Sequence, residues 1–142
     1  MTRPSLPSLP GPRILALLAG LTALRLLVAA LSGLVFDEAY YRLWSLSPSF
    51  GYYDHAPMVA WWIALGRAFI GDTALGVRLL AVLSVGIGSL FLWRTAVLLF
   101  DQKIADRAVL FFNAMLIVSV GGIVMTPDIP SVFFWDSAFS YG

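Results

Sequence analysis

The 142 residues are 60% hydrophobic and only 12% charged, against about 45–50% and about 25% in ordinary soluble domains. Such a chain cannot cover its apolar surface with polar groups in water, so its class is an all-α integral membrane protein, a polytopic bundle of transmembrane helices. A formal charge of +1 without any basic run argues against a nucleic-acid partner. The lack of cysteine excludes disulfides and thiolate-held metals.

In chain order, residues 1–13 read as a disordered cytoplasmic tail, because Pro4, Pro7, Pro10 and Pro12 among serines disfavour helix. Residues 14–36 form a first apolar span, longer than the roughly 7–15 residues of a signal-peptide core. Arg25 interrupts it and must face protein or water, with an ion pair inside the bundle as the default and a hold on a lipid phosphate as the minority reading. Residues 37–78 form an outer loop rich in tyrosine and tryptophan, side chains that favour the headgroup zone. Within it the sequence predicts two short interfacial helices joined by a turn over residues 51–57, the second running from Pro57 to Ile70.

Residues 79–100 and 108–125 form two further spans around a charged connector. Residues 129–142 form a fourth, incomplete one. Its 14 residues fall short of the roughly 17–25 that cross a bilayer, so the chain reads as the amino-terminal piece of a longer protein, truncated or frameshifted near Asp136. Arg3, Arg13, Arg94, Lys103 and Arg107 place the amino terminus and the connector in the cytoplasm and the loop outside.

Three of the eight acidic residues and the single histidine fall within residues 37–55. Asp37 either caps the following helix or accepts a proton from an incoming hydroxyl. Glu38 stands four before Arg42, the favourable order for a helical ion pair. The adjacent acids point about 100° apart, which separates their roles and makes Asp37 the better catalytic candidate. Asp54 and His55 share a turn closed by Pro57, where His55 can offer charge or a donor to a phosphate. Two such groups do not define a metal site, and a divalent metal is left open. Asp128, in Thr126-Pro127-Asp128-Ile129-Pro130, returns to the outer face. It is either a helix cap or a second carboxylate at the same surface.

The Asp37-Glu38-Ala39-Tyr40-Tyr41 exit, the Gly51-Tyr52-Tyr53-Asp54-His55-Ala56-Pro57 turn and the Thr126–Pro130 exit, in that order, resemble the amino-terminal part of bacterial GT-C glycosyltransferases. The likeness is to the protein O-mannosyltransferase and lipid A aminoarabinose transferase branch, and it covers about residues 14–135. Two departures are Ala56, where a second proline is usual, and Asp136, an acid unexpected in the fourth span.

The resemblance implies transfer of a sugar from a polyprenyl phosphate to a lipid, glycan or protein acceptor on the non-cytoplasmic face of the inner membrane. It casts Asp37 as the catalytic aspartate and puts Glu38, Tyr41, Asp54, His55 and Asp128 on the substrate side. Family members are several hundred residues long, so the 142 residues alone are expected to be inactive. A small transport or scaffold protein, or an inactive gene remnant, is the alternative reading.

Overall fold

The computed structural model of the protein describes residues 9–53 and 55–141. Every regular element among them is a helix: α1 Pro12–Leu31, α2 Phe36–Trp44, α3 Met58–Ile70, α4 Ala74–Leu99, α5 Gln102–Ala114, α6 Leu116–Gly121 and α7 Asp128–Tyr141. Two of these, α1 and α4, are long and apolar enough to cross a membrane, and the fold class expected from composition stands.

Helix α4 is the central post. It packs against α1, α3, α5 and α7, and half of its apolar length is buried in protein. One core cluster gathers Tyr41, Val59, Ile63, Val77, Ala81 and Met125 at the α2–α3 end. A second gathers Leu18, Trp93, Ala96, Ala105 and Val109 at the opposite end. The α3–α4 hairpin depends on glycine. Gly71 turns at φ 89°, where side chains are strained, and a Cβ on Gly66 would collide with the Gly76 carbonyl.

Several boundaries differ from expectation, each for a local reason. Helix α1 stops at Leu31 rather than at residue 36: the backbone turns extended at Ser32, ψ 141°, whose hydroxyl donates to the Val28 carbonyl at 2.7 Å. Helix α4 begins at Ala74, capped by Thr73, whose hydroxyl accepts from Gly76 N at 3.0 Å. Arg78 therefore belongs to a helix and not to the loop. The apolar run 108–125 is not one helix. Its helix already starts at Gln102, capped by the Asp101 carboxylate, which accepts from Ile104 N at 2.9 Å. The chain then breaks at Met115 with ψ 131°, and the Ser119 hydroxyl satisfies the Asn113 carbonyl across the break at 2.8 Å.

Candidate active site

Glu38, the third residue of α2, is completely buried. Its carboxylate takes a forked contact from Arg78, Nε to Oε1 at 2.8 Å and Nη2 to Oε2 at 2.6 Å. Oε2 also accepts from Val35 N at 3.0 Å and Oε1 from Met125 N at 2.9 Å. The Arg78 Nη1 group donates to the Ala29 and Ser32 carbonyls and to Ser32 Oγ, at 3.2, 3.0 and 2.7 Å. Nη2 reaches the Gly33 carbonyl at 2.7 Å. One guanidinium thus closes the carboxyl end of α1, where helical carbonyls have no internal partners, and holds the acid that opens α2.

The expected pairing of Glu38 with Arg42 is corrected by this contact. A desolvated carboxylate requires a desolvated, bidentate partner, and Arg78 supplies it. Arg42 turns instead to Asp72, which also takes Arg67 Nε at 2.8 Å. These two arginine hydrogen bonds push the Asp72 carboxyl down to about 2, and the bond to Asp72 raises Arg42 above its ordinary value. Arg67 Nη1 continues to Ser45 Oγ at 3.1 Å, tying the end of α2 to the α3–α4 turn.

Asp37, next to this clamp, is exposed, and among the described residues its carboxylate accepts no hydrogen bond and joins no ion pair. It does not cap α2, whose N-cap residue is Val35; the Val35 N–H is met by Glu38. Four residues on, Tyr41 lies along the same helical face and is buried.

His55, exposed, sets its ring edge-on to Tyr41 at 5.6 Å and tilted to Trp44 at 6.1 Å. Trp44 stacks flat on Tyr52 at 4.5 Å. The Tyr52 hydroxyl shares its one proton between the Trp44 and Ser47 carbonyls and accepts from Ser49 N. The loop after α2 is thereby folded onto an aromatic wall, the arrangement in which apolar ring faces and polar tips are both served.

Asp128 opens α7 and is exposed. Three residues earlier, the Met125 amide is the group bound by Glu38, so the two acidic segments are stapled together at one end of the bundle. Asp54 lies outside the described residues. The structure thus links Tyr41 and His55 directly, Asp37 to them through helical register, and Asp128 to Asp37 through the Glu38–Met125 bond.

Sequence reading missed Arg78, Arg67 and Asp72. The available signal was the near balance of charge over residues 37–78, three arginines against four acids, which favours pairing within the segment. Arg25, expected in an ion pair, donates instead to neutral Asn113 Oδ1 at 2.9 Å.

The family model described as dolichyl-phosphate-mannose-protein mannosyltransferase matches residues 54–141. No curated protein and no solved structure matches the chain.

Proposed function

The chain belongs to the dolichyl-phosphate-mannose-protein mannosyltransferase family, a family of membrane glycosyltransferases, and from that premise we propose a transfer reaction centred on Asp37. The donor is a sugar carried on a polyprenyl phosphate, and the acceptor is a hydroxyl of a lipid, glycan or protein. The carrying observation is the contrast within one dipeptide. Glu38 is buried and fully hydrogen-bonded, while Asp37 beside it is exposed and unpaired among the described residues.

In this reading Asp37 is the general base. It takes the acceptor hydroxyl proton as the oxygen attacks the anomeric carbon, the bond to the phosphate oxygen breaks, and the configuration at that carbon inverts. The phosphodiester is already a good leaving group, so the departing lipid phosphate needs positive charge more than a proton. His55 is cast as the hydrogen-bond donor to that phosphate, and the resemblance assigns the neighbouring Asp54 to the substrate as well. Tyr41, assigned to the substrate by the resemblance, is buried and backs the His55 ring. Asp128 supplies a second carboxylate, for sugar hydroxyls. Glu38, assigned to the substrate by the resemblance, is here a positioning residue, since both of its oxygens are occupied within the protein.

The site is proposed to open on the non-cytoplasmic face of the inner membrane of a bacterium. Arg13, Arg94, Lys103 and Arg107 lie at the opposite end of the bundle, exposed. Arg78 is buried in α4 and paired with Glu38, so it adds no free positive charge at the α2–α3 end.

Donor class tests the proposal directly. Membranes from cells expressing the full-length parent of this chain should transfer sugar from a polyprenyl phosphate and release the lipid phosphate, with an inverted linkage in the product. Transfer from a nucleotide sugar alone, or retention of configuration, would overturn it.

A further inference from the structure

Arg25 sits on α1 six residues before Leu31, about 9 Å inside that end at roughly 1.5 Å per residue. Only 5% of it is exposed. Its Nη1 donates to Asn113 Oδ1 at 2.9 Å, and the Asn113 amide donates in turn to Ser89 Oγ at 2.9 Å and the Val109 carbonyl at 3.0 Å. This chain holds the guanidinium at depth, where a long basic side chain would otherwise snorkel to the surface.

The hydrogen bond leaves the charge unmet. Ion pairs among the described residues join Arg42 and Arg67 to Asp72, and Arg78 to Glu38; Arg25 enters none. No sealed side-chain nitrogen lacks a partner. The Arg25 Nε and Nη2 groups make no hydrogen bond to the described residues, so they border open space. Arg25 lines a cleft of about 160 Å³ together with Leu21, Leu24, Val28, Ser119 and Ile123. Its flanks are apolar and exposed: Leu24 and Val28 on α1, Ile117 and Val120 on α6.

We infer that this cleft is a docking groove for a membrane-spanning helix bearing one carboxylate, which neutralises Arg25 by a forked contact. Charge complementarity selects the occupant. An isolated cation at this depth is costly, and the planar guanidinium matches a carboxylate at two points. Depth separates this occupant from a lipid phosphate, which lies at headgroup level, whereas a side chain on a helix can be placed at any height. The apolar flanks suit the rest of such a helix. This site lies apart from the proposed catalytic surface and does not depend on its assignment.

The test uses the 142-residue chain in zwitterionic nanodiscs at pH 7, with a labelled leucine- and alanine-rich transmembrane peptide carrying one Asp six residues from its outer end. An otherwise identical peptide carries Asn. Energy transfer should report the Asp peptide binding about tenfold more tightly. The preference should vanish in Arg25→Gln and persist in Arg25→Lys, with circular dichroism confirming that each variant is helical. Equal binding of the two peptides to the wild-type chain overturns the inference without any mutation. Arg25-dependent retention of phosphatidylglycerol that displaces the Asp peptide overturns it in favour of a lipid phosphate. Arg25-dependent self-association without peptide overturns it in favour of a second copy.

Discussion

Glu38 and Arg78, forty positions apart, meet as a buried fork with contacts of 2.8 and 2.6 Å. The pair joins the end of α1, the start of α2, the shaft of α4 and the strand of chain before α7. Asp37 owes its fixed place to the residue beside it.

Removing one member of that pair strands a buried charge. Arg78→Met should destabilise the protein by about 3–5 kcal/mol, read as thermal unfolding in detergent. The double variant Glu38→Gln, Arg78→Met should recover part of the loss, because the uncompensated carboxylate is then gone. A single variant as stable as wild type contradicts the clamp.

Asp72 sets an acid limit on the contacts between α2 and the α3–α4 turn. Its carboxyl is depressed from 3.8 to about 2 by Arg42 and Arg67, so its contribution is present above pH 3.8 and lost as pH falls towards 2. Trp44 and Trp61 fluorescence should therefore shift on acidification through that window. The Asp72→Asn protein should start in the shifted state and lack the transition, and salt should weaken the wild-type signal because the pair is exposed.

Gly66→Ala places a methyl group against the Gly76 carbonyl, and rigid backbone on both sides leaves little room to yield. A loss of about 1–3 kcal/mol is expected, the range for overpacking. Gly20→Ala, with open space around its Cβ, serves as the control and should be close to neutral in the same melt.

Tyr52→Phe keeps the ring stacked on Trp44 but removes the hydroxyl shared by Trp44, Ser47 and Ser49. Faster amide exchange should follow at Ser49, whose N–H loses its acceptor, with little change in the melting temperature. Unchanged exchange would show that the loop is ordered by other contacts.

How much of this was legible varied with the kind of force involved. Helix α3 was readable because Pro57 and Gly71 bracket it, and it occupies Met58–Ile70 where residues 57–70 were expected. The aromatic island announced itself by composition. The break at Met115 did not, since residues 108–125 carry no charge, proline or alternation to mark it.

Arg78 was misplaced for a different reason. A lone arginine beside an apolar run reads as a span boundary unless its distant acid is known, and Glu38 had a nearer, plausible partner in Arg42. Local spacing favoured that pair; burial decided against it. The link between the segment before Asp128 and helix α2 was not legible either, since the Glu38–Met125 bond that makes it uses a backbone amide, which any residue carries.

The central claim is that Asp37 is the base, held in place by its neighbour but free to react. Steady-state transfer by Asp37→Asn in the full-length parent of this chain, in membranes where it is present at wild-type level, tests it most directly. The account predicts a fall in kcat of about 10²–10⁴-fold, the usual worth of a positioned general base, with the donor KM little changed and the melting temperature preserved. Transfer at the wild-type rate would contradict it.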